Sequence, residues 1–161
     1  MQDRRCRVKK LPNGMSIASW NMHCNFDVAD DYLKTLSSKA QIIVIQEHGL
    51  FPCEIYKLDT VLHNYHGTGK ASAKLDDKDI GKRQRIGGCG ILWSKSIKFK
   101  VIQHPKEGSD RVCLIELKLD DCRVFVFCVY LPHQSCVIAE FSTEMAILNR
   151  LLEKYRALGV C

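Results

Sequence analysis

The sequence predicts an α/β domain in which strands outnumber helices and a mostly antiparallel sheet carries its helices on one face. Short runs of β-branched and aromatic residues, typical of strands, recur along the chain. The last four runs follow one another closely, which favours antiparallel pairing. Two longer segments instead repeat apolar residues at helical intervals. Because the other face of this sheet also has to be covered, we expect the sheet to be one layer of a larger sandwich.

The chain has 161 residues, which is enough for one domain with a substantial hydrophobic core. Hydrophobic residues make up 46% of it and charged residues 26%, a composition typical of globular and not of disordered proteins. No apolar run approaches the roughly 20 residues of a membrane span, so no membrane partner is expected. The first residues also lack the apolar core of a signal peptide. An intracellular location, nuclear or cytoplasmic, is therefore predicted.

The net charge of +6 suits a polyanionic partner, although it equally suits plain solubility. Residues 1–14 are predicted to be a basic N-terminal arm that ends in the turn Pro12-Asn13-Gly14. A second basic cluster, which includes Lys82, Arg83 and Arg85, lies in a polar stretch without periodicity. Each cluster also fits a solvated surface segment.

Nine cysteines occur, and no two are spaced as C-x-x-C, so the sequence gives no zinc-finger pattern. Cys113 and Cys128 lie inside strand-like runs, where a free cysteine behaves as a small buried hydrophobe. We therefore expect reduced thiols in a reducing compartment and no disulfide-linked partner.

The first part of the chain predicts a strand, a helix and a second strand, as at the start of a βαβ unit. Residues 15–20 form the first strand, which runs into Asn21. A helix capped by Asp27 follows, and residues 41–46 form the second strand, which is apolar on both faces. The apolar face of the helix is expected to consist of Val28, Tyr32, Leu33 and Leu36.

The middle of the chain is expected to be irregular. Residues 48–58 predict a loop, and a short strand is expected near residues 60–65. Residues 66–86 are polar, contain several Gly and Lys residues and lack periodicity. They predict a long loop, of a kind that is often functional in compact domains.

The second half predicts four strands, a hairpin turn and a long helix. Asp120-Asp121-Cys122 supplies the turn between the last two strands, and Pro132 ends the last of them. The helix places its apolar residues between Ile138 and Tyr155 on one face and closes at Gly159. The strands are expected at Cys89–Trp93, Phe99–Gln103, Val112–Leu119 and Val124–Tyr130.

Three polar residues stand at the ends of predicted strands: Asn21, Glu47 and Tyr130. If these strands are neighbours that run in the same direction, the three side chains converge on one rim. A carboxylate and an amide there are oxygen ligands of the kind that Mg²⁺ prefers, and a phenol can donate to a phosphate oxygen. Each residue also has a purely structural interpretation. Glu47 fits the first solvated residue after a strand, Asn21 a turn residue, and Tyr130 a strand-end aromatic.

Five short motifs occur in the order and spacing of the endonuclease/exonuclease/phosphatase family, which the chain resembles over residues 15–161. The stretch from Gln46 to Pro52 is most similar to the endonuclease domains that open the polyproteins of animal non-LTR retrotransposons. The motifs are Ser19-Trp20-Asn21-Met22-His23, Ile45-Gln46-Glu47, Gly87-Gly88-Cys89-Gly90-Ile91-Leu92, Asp110-Arg111-Val112 and Val129-Tyr130-Leu131-Pro132.

The resemblance implies a two-layer β-sandwich flanked by helices. It also implies Mg²⁺-dependent hydrolysis of phosphodiester bonds, with Mn²⁺ as an alternative cation. Glu47 matches the cation-binding glutamate, and Asn21 matches the active-site asparagine beside it. Tyr130 matches the tyrosine that contacts the scissile phosphate, and Arg111 matches an arginine that is structural or close to that phosphate. The implied chemistry is attack by an activated water, with the cation stabilising charge on the phosphate and the leaving oxygen.

The partner that the resemblance implies is DNA, bound through its phosphate backbone. Lys70, Arg83 and Arg85 are the basic residues expected to contact these phosphates, which makes such binding non-specific and salt-dependent. The same residues also fit a surface loop that has no partner.

The sequence departs from the family pattern at positions that matter for activity. The family's Gly-Asp-x-Asn loop would follow the strand that Val160-Cys161 begins, and it is missing from this sequence. The later aspartate is missing too, as is the terminal Asp-His pair, which is the candidate general base. We therefore expect a domain that is incomplete at its C-terminus, truncated in the second sheet and without appreciable nuclease activity alone. His23 stands where some relatives carry an acidic residue. Like His48 and His133, it lacks metal-ligand spacing and is interpreted as a loop histidine.

Three functions stay open from the sequence. The first is a DNA endonuclease domain of retrotransposon type, and the second is a phosphatase of the same superfamily that acts on a small phosphorylated substrate. The third is a non-catalytic remnant of a retroelement. The basic stretch favours nucleic acid over a small substrate, while the missing loop favours the remnant.

Overall fold

The computed structural model of the chain describes residues 6–10, 14–72, 87–132 and 138–158. These residues form two sheets with helices on their outer faces, and none of their helices is long and apolar enough to cross a membrane. The strands are β1 (Cys6–Lys10), β2 (Ser16–Asn21), β3 (Ile42–Gln46), β4 (Tyr65–Lys70), β5 (Cys89–Ser94), β6 (Lys100–Gln103), β7 (Val112–Lys118) and β8 (Arg123–Val129). The helices are α1 (Asp30–Ser37), α2 (Lys57–Thr60) and α3 (Ile138–Arg156), and 3₁₀ turns span Phe26–Val28 and Pro52–Glu54.

The two sheets have the strand orders β1-β2-β3-β5-β4 and β6-β7-β8. β2 and β3 run parallel, and the other neighbouring pairs of these strands are antiparallel. Parallel neighbours need a crossover connection, which α1 provides here. Asn21 pairs in register with Gln46, so Asn21 and Glu47 leave the sheet side by side at one rim. The prediction that these two strands are neighbours with the same direction is confirmed.

The buried hydrophobic side chains of the described residues form three clusters, and β3 contributes to two of them. Ile43 and Ile45 of β3 face α1 and α2, and Ile42 and Val44 face the second sheet. Both faces of β3 are therefore covered, which explains why its sequence is apolar throughout. The outer face of the second sheet is covered by α3 through Leu151 and Tyr155. Helices therefore flank both sheets, as the family resemblance implies, rather than one face of a single sheet.

The first predicted helix is shorter than expected. A 3₁₀ turn precedes α1, which begins at Asp30, not near Asp27. Leu33 and Leu36 are buried as predicted, but Val28 is 80% exposed, so its place on the apolar face was wrong. The physical reason is that the helix does not extend through Ala29. The preceding 3₁₀ segment has three residues per turn, so Val28 does not share the apolar face of α1.

The predicted strand near residues 60–65 is wrong as well, and so is the start of the loop predicted over residues 66–86, of which residues 73–86 lie outside the described ranges. Lys57–Thr60 is the helix α2, and the strand is Tyr65–Lys70. Glycine weakens a strand pattern in sequence, yet here it permits close packing. A Cβ on Gly67 would collide with the carbonyl of Leu58, so α2 can lie against β4 because glycine occupies that position.

Part of the basic N-terminal segment is also a strand, because Cys6–Lys10 pairs antiparallel with β2 along its whole length. The remaining strands and α3 lie within two residues of their predicted bounds. The turn before β8 is present and is closed by a backbone hydrogen bond of 2.9 Å from Leu119 to Cys122. Several predictions concern residues outside the described ranges: Arg83, Arg85, His133, Gly159 and Val160-Cys161.

His48 connects the end of β3 to two neighbouring segments. It follows the strand in a loop, as predicted, but its ring is completely buried. Nδ1 accepts a hydrogen bond from the backbone N–H of Leu50 at 2.9 Å, so Nε2 carries the proton and donates to the Lys70 carbonyl at 3.1 Å. Gly88 lies against the ring with a φ of +85°, and a Cβ there would be 2.7 Å from Nε2. This packing fixes where Glu47, the neighbour of His48, leaves the sheet.

The contact between Gly88 and His48 predicts a large cost for Gly88→Ala. The new methyl group meets a ring that two hydrogen bonds hold in place, in addition to the strain of a positive φ. We expect a loss of about 3 kcal/mol in the free energy of unfolding, measured by urea titration. Gly14→Ala is the matched control, because Gly14 has a φ of +81° but nothing within 4 Å of the added Cβ. It should cost about 1 kcal/mol, and equal losses for both variants would contradict the packing argument.

Burial also predicts an acid-sensitive contribution from His48. Burial lowers the pKa of His48, and the hydrogen bond to the Lys70 carbonyl only partly opposes this. The unfolded chain therefore binds a proton at a higher pH than the folded protein, so stability is lost as pH falls below about 6.5. His48→Gln cannot gain that proton. The difference in unfolding free energy between wild type and His48→Gln should shrink from pH 7.5 to pH 5, and a constant difference would argue against it.

Candidate active site

Asn21 and Glu47 form the first part of the site, at the ends of β2 and β3. The Asn21 side-chain amide donates to Oε1 of Glu47 at 2.5 Å. The backbone of Glu47 is fixed at both ends, because its N–H donates to the Gly88 carbonyl at 2.8 Å and its carbonyl accepts from the Cys24 N–H at 2.7 Å. The carboxylate is therefore presented at the rim by a rigid backbone, as the sequence predicted for a ligand or a base.

The backbone at this rim is unusual. Three described residues other than glycine have a positive φ, namely His23 (+48°), Cys24 (+60°) and Glu47 (+51°), and all three meet here. Such conformations cost of order 1 kcal/mol or more each, and they persist where the surrounding structure holds them. Clusters of this kind occur mainly at binding and catalytic sites. The strain is therefore a second reason, independent of the sequence motifs, to treat the rim as a candidate functional site.

His23 lies beside the carboxylate. Its Nδ1 is 4.0 Å from Oε2 of Glu47, and its side chain is 47% exposed against 19% for Glu47. Its backbone N–H donates to Oδ1 of Asn21 at 2.9 Å. The asparagine thus holds Glu47 through one amide atom and the turn at His23 through the other.

Tyr130 and Arg111 approach Glu47 from the second sheet. They flank the first pair of β7 and β8, and the Tyr130 N–H donates to the Arg111 carbonyl at 2.8 Å. The guanidinium carbon of Arg111 lies 5.1 Å from the centre of the Tyr130 ring. The strand before Tyr130 lies in the second sheet and is not a neighbour of β2 and β3, so the condition stated for convergence within one sheet is not met. The packing of the two sheets nevertheless brings Tyr130 and Arg111 to Glu47.

The phenol of Tyr130 is coupled to the carboxylate. Burial raises the pKa of Tyr130, and the negative charge of Glu47 and a hydrogen bond to it add to the rise, while Arg111 opposes it. Tyr130 therefore stays protonated at neutral pH and serves as a hydrogen-bond donor. The loop that carries Arg111 is anchored by Ser109, which donates to Glu144 on α3 at 2.6 Å.

These groups surround a cavity of about 220 Å³ between the two sheets. Glu47, Arg111 and Tyr130 were predicted from the sequence as site residues. Gly87 and Asp110 lie within motifs that carried the family resemblance, but neither was assigned a role. No sequence signal pointed to the remaining residues that line the cavity, Cys24 and Ser72.

Lys70 ends β4 on the same side of the sheet, two residues before Ser72. The Lys70 carbonyl accepts a hydrogen bond from His48. A hydrogen bond with Cys128 is the main cause of a raised pKa of the buried Cys113 thiol, and the positive charge of Lys70 partly opposes that rise. The Lys70 side chain is half-buried at this rim. Its predicted contact with DNA stays a prediction, as do those of Arg83 and Arg85.

A divalent cation fits this donor set. Oε2 of Glu47 and Nδ1 of His23 face one another, and Oδ1 of Asn21 keeps a second lone pair beside its hydrogen bond. No group of three or more His, Cys, Asp or Glu residues within the described ranges is arranged as a metal site. An ion here would thus be held by two or three protein groups and several waters, which is typical of Mg²⁺ and Mn²⁺ sites.

Comparisons with known proteins give matches in structure but not in sequence. No family model matches the chain, and no curated protein does. The endonuclease domain of TRAS1, a telomere-specific non-LTR retrotransposon, is 12% identical with a TM-score of 0.57, over 86% of this chain and 54% of its own. The AP endonuclease LMAP from Leishmania major is also 12% identical with a TM-score of 0.58, over 86% of this chain and 46% of its own.

A third match is the 3' phosphatase NExo from Neisseria, solved with a product DNA hairpin. It is 21% identical with a TM-score of 0.50, over 89% of this chain and 52% of its own. The chain thus spans about half the length of the solved structures that it matches. At this level of identity the likeness concerns architecture. The two sheets and their flanking helices have the fold of the endonuclease/exonuclease/phosphatase superfamily.

Proposed function

We propose that the cavity at Glu47 is the active site of a divalent-cation-dependent phosphodiester hydrolase that acts on DNA, of the kind found in retrotransposon endonucleases. The observation that carries the proposal is the convergence of Asn21, Glu47, Arg111 and Tyr130 from two sheets on one strained rim. A carboxylate for a cation lies there beside a cationic and a phenolic group for a phosphate. The solved structures with this fold that are named above comprise two endonucleases and one phosphatase.

Each side chain has a separate task in this proposal. Glu47 holds the cation, Mg²⁺ or Mn²⁺, and Asn21 fixes the orientation of the carboxylate through its 2.5 Å hydrogen bond. Tyr130, kept protonated by its raised pKa, donates to a phosphate oxygen, and Arg111 adds a positive charge beside it. A bound cation would supply stabilisation of the charge that develops on the phosphate and on the leaving oxygen.

The cavity formed by the described residues is small and the chain is basic, which suits a polyanion that lies largely along the surface. Sites for small molecules commonly enclose about 300 to 1,000 Å³, whereas this cavity has about 220 Å³. It has room for one phosphate group with part of its sugar, and the rest of the substrate would lie along the surface. A net charge of +6 suits the polyanion. The phosphatase alternative keeps some support because one of the matched structures is a 3' phosphatase, although its product is also DNA.

Removal of the carboxylate charge is expected to remove the cation. Glu47→Gln keeps the size of the side chain and its contact with Asn21 but weakens Mg²⁺ and Mn²⁺ binding by about tenfold or more. Isothermal titration calorimetry measures this directly. Glu153→Gln, an exposed position on α3, is the control and should bind as wild type. Equal affinities for all three proteins would show that no cation binds at Glu47.

Arg111 is expected to contribute to DNA binding through its charge. Loss of a charge-assisted hydrogen bond to phosphate costs about 1.5 to 3 kcal/mol, so Arg111→Gln should weaken binding of a labelled duplex by about tenfold or more. Fluorescence anisotropy at fixed salt concentration measures the change. Arg150→Gln, exposed further along α3, should have little effect. If both variants bind as wild type, phosphate does not enter this cavity.

Hydrolysis is measured separately, as nicking of supercoiled plasmid with Mg²⁺ or Mn²⁺. Little or no nicking by wild type is expected, because the family's Gly-Asp-x-Asn loop and Asp-His pair do not occur in this sequence. Any nicking by wild type should disappear in Glu47→Gln and persist in Glu153→Gln, because the first variant loses the cation ligand. Nicking that survives Glu47→Gln would contradict this assignment of the active site. Binding of cation and DNA without nicking by wild type would instead favour the non-catalytic alternative.

A further inference from the structure

We propose that His23 is a nitrogen ligand in the cation site and that it gives the site a preference for a divalent transition-metal ion, such as Mn²⁺, over Mg²⁺. The inference rests on the proposed function, because it assumes a cation at Glu47. It goes beyond that function by assigning the ion preference to one residue. It also replaces the sequence-based interpretation of His23 as a loop histidine.

The ring of His23 lies beside the carboxylate of Glu47. Nδ1 of His23 and Oε2 of Glu47 face each other at 4.0 Å. This distance exceeds a hydrogen bond. Two ligand atoms at right angles around an ion, each about 2.1 Å from it, are about 3 Å apart. A closing movement of about 1 Å therefore suffices, and the His23 side chain, 47% exposed, has the freedom to make it.

The backbone that carries the His23 ring is held against the rim of the first sheet. His23 and Cys24 both have a positive φ, a conformation that is uncommon for residues other than glycine, although histidine adopts it more often than most. Hydrogen bonds from the His23 N–H to Asn21 and from the Cys24 N–H to the Glu47 carbonyl hold this turn against the rim. The same two residues that form the cation site thus fix the turn that carries His23. This coupling keeps the turn that carries His23 against Glu47, which is the placement that a ligand requires.

The donor atoms at this site are a carboxylate oxygen of Glu47 and an imidazole nitrogen of His23. Mg²⁺ prefers oxygen ligands in near-ideal octahedral geometry and keeps most of its waters. Imidazole nitrogen suits first-row transition metals, and Mn²⁺ also accepts carboxylate and water. A site with one carboxylate oxygen and one imidazole nitrogen therefore gains affinity for Mn²⁺ that it does not gain for Mg²⁺.

A surface ion pair is the competing explanation of the contact. If the contact were only a surface ion pair between His23 and Glu47, it would be weak and would not discriminate between cations. Loss of His23 would then raise the affinity for every cation, because a competing positive charge disappears from the carboxylate. The two explanations predict opposite effects on Mn²⁺ binding.

The experiment measures the dissociation constants of Mn²⁺ and Mg²⁺ by calorimetry for wild type, His23→Gly and His23→Asp. Both substitutions suit a positive φ, so they test the side chain without added backbone strain. Wild type should bind Mn²⁺ about tenfold or more tightly than Mg²⁺. His23→Gly should lose about tenfold in Mn²⁺ affinity and less than twofold in Mg²⁺ affinity. His23→Asp should bind Mg²⁺ more tightly than wild type, because an anionic oxygen replaces the nitrogen.

A second readout tests whether the ion lies beside His23 without any assay of activity, and the affinity ratios of the variants then decide whether His23 is a ligand. Substoichiometric Mn²⁺ should broaden the ring resonances of His23 in NMR spectra of wild type and leave those of His63, at the opposite end of the first sheet, unchanged. His63→Ala is the matched control for calorimetry. An unchanged ratio of Mn²⁺ to Mg²⁺ affinity in His23→Gly, with binding still lost in Glu47→Gln, would overturn the role of His23 alone. Binding that does not depend on Glu47 would overturn the proposed function as well.

Discussion

The left-handed turn at Glu47 is the constraint on which the site depends. A strand that continued beyond Gln46 would direct the next side chain into one of the packed faces of β3, both of which are full. The positive φ of Glu47 instead turns its side chain toward the rim. Hydrogen bonds to Gly88 and Cys24 hold that conformation, and the buried ring of His48 fixes Gly88 in turn. Backbone strain, a required glycine and a neutral buried histidine thus form one unit that positions one carboxylate.

The partners of Glu47 arrive by two different routes. Asn21 is adjacent because β2 and β3 are parallel neighbours in register, which is a consequence of local chain order. Arg111 and Tyr130 are adjacent because the second sheet packs across the first, with the Cys128 thiol donating to the Ile45 carbonyl between them at 3.1 Å. Small side chains at this interface allow the sheets to approach closely beside the rim. The position of Asn21 is therefore fixed by the first sheet, and the positions of Arg111 and Tyr130 are fixed by packing between sheets.

This division explains how much the sequence could predict. Asn21 and Glu47 follow from strand, helix and strand in succession, since parallel strands must end at the same rim. The role of Tyr130 came from family resemblance, because no periodicity states which sheets face each other. The strand at Tyr65–Lys70 was missed because its glycines, which admit α2, resemble a loop. The burial of His48 was missed because its hydrogen bond to the Lys70 carbonyl joins residues 22 positions apart, and local patterns carry no information about such a contact.

The construction of the site from two sheets has a thermodynamic consequence. A cation that binds Glu47 in the folded protein, and not in the unfolded chain, stabilises the fold by RT ln(1 + [L]/Kd), or about 2.7 kcal/mol at 100 times Kd. Without a cation, the carboxylate is held by Asn21 and Tyr130, one from each sheet. A bound cation would compete with Tyr130 for the carboxylate and free the phenol to donate to phosphate. Cation binding and phosphate binding would therefore be coupled through one shared carboxylate, and that coupling needs no movement of either sheet.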